Sequence, residues 1–542
     1  MPVETTSLHM GDGGHWHFVN GRWRDGENGL LAVPEELRRQ DVEGMQGVHY
    51  AFNRDLACRD VRVRFEFRLT GHSDAGVVLR AADASHFYLL HFPNCGQASR
   101  AQHFWVAFSK MDEAGYLQII KLEMVRRVPS NKNLWLPAEV TLRGDRIAVR
   151  VGENGYFEAC DDSYSDAGCV GVYSFGDSGI RDVTVQAEPV PPSWNNAVRQ
   201  PRHWFHPCPD RDYGLWQKPN DLLRLESGEL LLNYVVQEKP YQGKSTALLA
   251  RSDDNGWTWS KPEELKFGVG DDEWQMPRLH RTPRGRLIYL SKKGDDFYTA
   301  ESADDGRTWS PPEPLGLDTS AVRTTGLHAG PHIFMNLADE SMVMFLYGGF
   351  KPMAEDMTIY TWGSFHCQGY ACRSTDDGRT WSPLVNVDTP GFDEKGNKYE
   401  GNLDLTEICG VQISDGRIMA LIRPVFSPWM WETWSADGGT TWGPCLRGPF
   451  AGYAAPNMLR TASGAILIAH RLPGLTIHCS WDDGRTWDQG TMLDSALWAM
   501  GAMIEVEPDV VLYVHYDSFE SLMRMDRFRV TRAGLEPVRP PQ

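Results

Sequence analysis

Two arginines hold the same place in two successive stretches of this sequence. Arg423 stands seven residues after Gly416, closing the run Ile418-Met419-Ala420-Leu421-Ile422, and Arg471 stands seven residues after Gly464, closing Ala465-Ile466-Leu467-Ile468-Ala469-His470. A glycine turn, an apolar strand and a terminal guanidinium place a planar, permanently charged fork at a fixed distance from each turn, which suits bidentate binding of a carboxylate. Glu407 stands sixteen residues before Arg423 and opens the run Ile408-Cys409-Gly410-Val411. A carboxylate there has the chemistry of a general base or of the partner of a nucleophile. The plainer alternative for Glu407 and Arg423 is a salt bridge tying adjacent strands, and for Arg471 a strand-end surface charge.

A second set of candidates follows prolines. Pro219-Asn220, Pro277-Arg278, Pro331-His332 and Pro456-Asn457 each lead a polar residue into an apolar run. Asn220, Arg278 and Asn457 are therefore candidate substrate ligands, with ordinary strand starts as the alternative. His328 and His332 lie close together in Gly326-Leu327-His328-Ala329-Gly330-Pro331-His332, where an imidazole serves as a base, a metal ligand or a hydrogen-bonded pocket residue. Glu238, Asp295 and Asp296 are carboxyls on expected loops, where a solvated loop charge is the plainer reading of each. Trp498 is a candidate to stack on a sugar face, or a core indole. No HExxH, EF-hand, P-loop or GxSxG pattern is present, so no metal or cofactor is expected.

The elements that position these residues are marked by an octet, Ser-x-Asp-x-Gly-x-Thr-Trp, that begins at Ser252, Ser302, Ser374, Ser435 and Ser480. Ser and Asp accept bonds from nearby amides and the Gly takes up angles that other residues resist, so each octet reads as a hairpin turn, with Thr and Trp suited to the strand that follows. A carboxylate repeated in every turn reads as structural. The intervals of 50, 72, 61 and 45 residues fit sheet-sized units. Counting the paired signals gives six units, about 211–265, 266–316, 317–385, 386–446, 447–490 and 491–535, the last without an octet. Six four-stranded units arranged about an axis form a propeller.

Residues 14–190 carry no octet but alternate apolar and polar positions, as in Val61-Arg62-Val63-Arg64-Phe65-Glu66-Phe67 and Arg146-Ile147-Ala148-Val149-Arg150-Val151, which reads as a β-sandwich. The Pro-rich stretch Glu188-Pro189-Val190-Pro191-Pro192-Ser193-Trp194 places the boundary near 188–204. The expected fold class is all-β: a sandwich over 14–190, then a six-bladed β-propeller over 205–535. A formal charge of −18 disfavours a nucleic-acid partner, and no run of eighteen apolar residues is present to cross a membrane. Ten cysteines without a CxxC pair give neither a zinc framework nor a disulfide scaffold. The start lacks a secretory signal, so a cytoplasmic location is expected unless a leader was removed.

On these octets and their spacing, residues 205–535 resemble the sialidase (neuraminidase) superfamily. Phe65-Glu66-Phe67-Arg68, Gly76-Val77-Val78-Leu79-Arg80 and Gly168-Cys169-Val170-Gly171 resemble the laminin-G/concanavalin-like jelly rolls that accompany carbohydrate enzymes. The resemblance implies that Glu407 activates a tyrosine nucleophile and that Arg423 belongs to an arginine triad gripping a carboxylate. It also implies a general acid on a loop of an early unit, where this sequence offers Glu238 rather than Asp, with Asp295 and Asp296 on a similar loop; most glycosidases need such a second carboxyl, roughly 5 Å from the first for retention or 6.5 to 9.5 Å for inversion. Two positions depart from that pattern. The first unit reads Gln217-Lys218-Pro219-Asn220 where an Arg is expected, leaving Arg278 as a substitute. The sixth reads Ala496-Leu497-Trp498-Ala499-Met500-Gly501 where the tyrosine is expected, and Tyr513 and Tyr516 fall beyond a turn. The leading expectation is an exo-acting glycosidase on a terminal, acidic or hydroxyl-rich sugar, with a glycan as partner. A uronate-directed lyase using His332 or a tyrosine, and a non-catalytic glycan-binding protein, are the alternatives.

Overall fold

The computed structural model describes residues 3–11, 15–19, 23–26, 30–32, 48–69, 72–95, 104–111, 114–125, 134–153, 155–176, 178–195, 216–237, 245–265, 277–294, 296–322, 325–349, 367–389, 405–424, 429–452, 456–495, 499–517 and 523–539. All its regular elements are β-strands. The chain divides into two compact units, Met1–Arg202 with Arg471–Ile477 and Gln489–Ala499, and His203–His470 with His478–Asp488 and Met500–Gln542.

The first unit is a sandwich of antiparallel sheets. One sheet runs Gly155–Cys160, Arg146–Val151, Leu136–Arg143, Val61–Leu69, Ser178–Ala187, and then the short strands Leu30–Ala32 and Arg24–Asp25. The other is built on Val48–Cys58, Gly168–Phe175, His72–Asp83, His86–His91, Phe104–Met111 and Leu117–Val125. Period-two alternation sets which face is buried: Val61, Val63, Phe65 and Phe67 enter a core shared with Val77, Leu79, Leu90 and Val172 of the second sheet. Thr491–Asp494 pairs with both Leu117–Val125 and Leu475–Ile477. These four residues therefore pair back on earlier strands, and the sixth sheet starts later than expected, at Ala499.

The second unit is a closed ring of sheets. Its first sheet is Trp216–Arg224, Leu230–Gln237, Thr246–Ser252 and Glu263–Glu264, each strand antiparallel to the one before. Sheets with the same up-and-down order start at Arg278, Thr325, Leu405 and Ala499, and the fifth place holds the pair Asn457–Arg460 and Ile466–His470. Apolar clusters join first to second, second to third, third to fourth and fourth to fifth sheets. The fifth meets the sixth where Ala462 N donates to Glu505 and Ser463 Oγ to Asp509. Leu230, Leu232 and Leu248 of the first sheet share a core with Val510, Leu512 and Met525 of the sixth, which closes a six-bladed propeller.

In the first four sheets the octets are the turns that lead into the last strand. In the first, Ser252 Oγ donates to Asp254 Oδ1 (2.7 Å) and accepts from Gly256 N (2.7 Å), while Asp254 accepts from the amide and hydroxyl of Thr258 (2.9 and 2.6 Å). Thr308 holds Asp304 in the same way, keeping that carboxyl down at about 2. Such a group is a fixed anion of the turn rather than a proton carrier near neutral pH. Contrary to expectation, the Thr and Trp lie in the turn itself, with Trp259 Nε1 donating back to Gly256 O (3.2 Å).

The fourth octet position, Asn255, Asp305, Asp377, Gly438 or Asp483, has a φ between 57° and 68°. Asn, Asp and Gly are the residues that tolerate this left-handed conformation best. It also presents each turn to the preceding sheet. Arg527 donates to Asn255 O, Arg251 Nη2 to Asp305 O (2.7 Å), Arg286 Nε to Asp377 (2.8 Å) and Ser414 Oγ to Asp483. The octets thus staple neighbouring sheets together.

Candidate functional site

Between the first and second sheets, a break in register between Pro219 and Asp221 frees Asn220 and Asp221 from strict alternation, and both are buried. Asp221 accepts from Asn233 Nδ2 and from Leu279 N, each at 2.9 Å, and Asn220 Oδ1 accepts from Arg278 Nη1 at 3.1 Å. The first sheet therefore holds Arg278 at the start of the second. Burial raises the Asp221 pKa, and the Arg278 charge opposes that rise.

The third sheet contributes the segment from His328 to His332. A Cβ on Gly330 would come within 3.1 Å of Glu407 Cγ, so this segment rests on the Glu407 side chain. Two residues on, His332 has a φ of 56°, and its Nε2 lies 2.8 Å from Gly501 O in the sixth sheet, on the opposite side of the ring. A carbonyl only accepts, so Nε2 carries the proton and the neutral ring keeps its lone pair on Nδ1. Burial lowers the His332 pKa to about 4, and the charges of Arg278 and Lys218 add to the shift. Gly501 O also accepts from Asn457 Nδ2 (3.0 Å) of the fifth sheet. One carbonyl thus joins the third, fifth and sixth sheets.

In the fourth sheet, Glu407 on Leu405–Gln412 lies across from Arg423 on Ile418–Pro424, and Arg423 Nη1 donates to Glu407 Oε2 at 2.7 Å. The pair does tie adjacent strands. Tyr347, on Met342–Gly349, has its pKa raised first by burial and then by the Glu407 carboxylate, while Arg423 and Arg278 pull it down. The exposed His328 is its cross-strand neighbour, with ring centroids 5.5 Å apart. Arg278 acts on both Tyr347 and His332, so the corner, the segment and the pair belong to one cluster.

The structure brings together Asn220, Arg278, His332, Glu407, Arg423 and Asn457. Arg471 is buried just after Ile466–His470, whereas Glu238, Asp295 and Trp498 lie outside the described residues. Sequence reasoning missed Tyr347, Asp221 and the double acceptor Gly501. Tyr347 had a usable signal: it stands seven residues after Glu340 (φ 61°), just as Arg423 stands seven after Gly416 (φ 89°). The third turn fills its left-handed position with glutamate, so its register passed unread. Among the described residues, no three His, Cys, Asp or Glu side chains gather as metal ligands.

No protein-family model and no curated protein matches the sequence. Among solved structures, the chain is similar to the Hadza microbial sialidase Hz136, at 14% identity over 88% of this chain and 93% of that one, with a TM-score of 0.47. It is also similar to a protein of unknown function from Dyadobacter fermentans DSM 18053 (13% identity, 58% and 94% covered, TM-score 0.45). A Trypanosoma rangeli sialidase gives 13% identity, 61% and 56% coverage and a TM-score of 0.41. All three scores fall below 0.5, so the fold is assigned from the strands and their packing alone.

Proposed function

We propose that the chain is an exo-acting glycoside hydrolase of sialidase-like type, acting on a terminal acidic sugar. The observation that carries this reading is the clustering of a phenol, a carboxylate and guanidinium groups: Tyr347 under the charges of Glu407, Arg423 and Arg278, with Arg423 bonded to Glu407 at 2.7 Å. In this reading Glu407 takes the phenol proton as Tyr347 Oη attacks the anomeric carbon, and the glycosidic C–O bond breaks as its oxygen is protonated. Glu238 is the assigned acid for that proton. Water then attacks the same carbon as Glu238, now a carboxylate, takes its proton; the tyrosyl bond breaks, and Glu407 returns the proton to the phenolate. Arg278 and Arg423 hold the substrate carboxylate, Asn220 and Asn457 bind hydroxyls, and His332 accepts a hydrogen bond at Nδ1. A proton-held, left-handed His332 and a raised-pKa tyrosine also favour a second reading, elimination beside a uronate with His332 or Tyr347 as the base.

The test is a panel of aryl glycosides of sialic acid, uronic acids and neutral hexoses, with wild type, Glu407→Gln and Tyr347→Phe. Hydrolysis of an acidic glycoside that both substitutions reduce by about a hundredfold or more supports the proposal. A fluorinated, activated sugar that labels the Tyr347 peptide identifies the nucleophile by mass. An unsaturated uronate product would select elimination, and binding without turnover in wild type would sink both readings.

A further inference from the structure

The outward face of the Gly155–Cys160 to Ser178–Ala187 sheet belongs to the first unit, whereas Tyr347, Glu407, Arg423, Arg278 and His332 belong to the second. Its alternation leaves Arg62, Arg64 and Arg68 on one strand, Arg143 on a second, Arg146 and Arg150 on a third and Arg181 on a fourth, all partly or fully exposed. Three glutamates share that face, and each already has a partner. Glu139 accepts from Arg62 Nη2 (2.8 Å) and Arg64 Nε (2.7 Å), Glu66 accepts from Arg181 Nε (2.7 Å), and Glu158 accepts from the Tyr156 hydroxyl. Trp135 braces two of the arginines from the side, with Arg181 Cζ 4.4 Å and Arg68 Cζ 5.4 Å from its ring centroid.

What remains is a rank of fixed, outward guanidinium charge. Tyr156, Arg150, Glu139, Arg64 and Thr184 are successive neighbours across five strands. Among the described residues Arg150 makes no ion pair, and Arg64, its side chain 57% exposed, spends only Nε on Glu139, which leaves its two terminal nitrogens without a partner there. The two arginines are two strand spacings apart, about 10 Å, comparable with a disaccharide repeat. Tyr156, 52% exposed, stands beside Arg150 at the end of the rank. A chain with a net charge of −18 here presents seven arginines against three engaged glutamates and Asp182, which lies 3.6 Å from Arg181 Nε.

We propose that this face binds an extended acidic polysaccharide, with Arg64 and Arg150 holding carboxylates one disaccharide apart and Tyr156 stacking on a sugar ring. Planar guanidiniums match carboxylates bidentately. The rigid, regular spacing favours a stiff polymer with periodic charge over a fluid anionic membrane. This inference is independent of the proposed reaction, because none of its residues belongs to the second unit.

The test measures binding of the full chain to immobilised polygalacturonate, to dextran and to phosphatidylserine-containing vesicles. Wild type is expected to bind polygalacturonate and not dextran, more weakly as salt rises. The double variant Arg64→Gln/Arg150→Gln is expected to weaken binding about tenfold or more. A control with the same net charge, Arg307→Gln/Arg379→Gln in the octet turns, and Arg423→Ala in the other unit are both expected to bind as wild type does. Absence of wild-type binding, equal binding by the double variant, or an equal loss in the charge-matched control would overturn the proposal. So would a loss in Arg423→Ala, which would move the polymer to the candidate active site, or vesicle binding without polygalacturonate binding.

Discussion

Replacing His332 with asparagine separates the role of this residue in stability from its role in the site. At pH 7.5 the change removes the Nε2 bond to Gly501 O, worth about 1 kcal/mol. It also relieves a φ of 56°, which asparagine tolerates at a saving of about 1 kcal/mol. The two effects nearly cancel. In acid the balance shifts, because the pKa of His332 falls from 6.5 to about 4 on folding. Between those values the unfolded chain binds a proton that the folded chain refuses, so wild-type stability falls as pH drops through that window. At pH 5 the loss amounts to about 2 kcal/mol, and the asparagine amide has no proton to take up. The variant is therefore expected to gain about 2 kcal/mol over wild type between pH 7.5 and pH 5, measured by urea unfolding of both proteins at both pH values. His280, also held near 4, is common to both and drops out of the difference. Identical pH dependence in the two proteins would refute both the neutral state of His332 and the tautomer assigned from it. On the proposed reaction, the variant loses activity while remaining folded.

Ser374→Ala removes a hydroxyl that donates to Asp376 (2.8 Å) and accepts from Gly378 N (2.9 Å) in a buried turn, so a loss of about 1 to 2 kcal/mol in chemical denaturation is expected, with little effect on turnover. Gly501→Ala would put a Cβ 1.9 Å from Val514 O, and a cost of about 3 kcal/mol or more, seen as a lower melting temperature or insoluble protein, is expected. Asp221→Ala leaves Leu279 N without its acceptor and loosens the start of the Arg278 strand; a raised KM for acidic substrate with a smaller change in kcat, measured by steady-state kinetics, is expected.

The parts of the fold that the sequence revealed are those dictated by local chemistry. Alternation in Val61–Leu69 and Arg146–Val151 gave the sandwich strands, and the Ser, Asp and Gly of each octet gave the turns. The Pro-led polar residues and the Glu407 to Arg423 spacing pointed to side chains that meet in space. What stayed hidden depends on contacts between distant segments. Thr491–Asp494 looked like the opening of a sixth sheet, yet its partners are Leu117, Gln118 and Leu475–Ile477, hundreds of residues or one hairpin away. Tyr347 was hidden by a turn whose left-handed residue is Glu340 rather than glycine. Asp221 was hidden because a strand irregularity exposes two adjacent residues to the same neighbour, which no period-two pattern announces.

The peptide group between Gly501 and Ala502 receives donors from sheets on two other sides of the wheel. Widening the hub at that level would cost both bonds at once, so the ring is cinched there. On the proposed function, a ring held shut at that level suits a substrate that presents its end to the mouth rather than one that passes through.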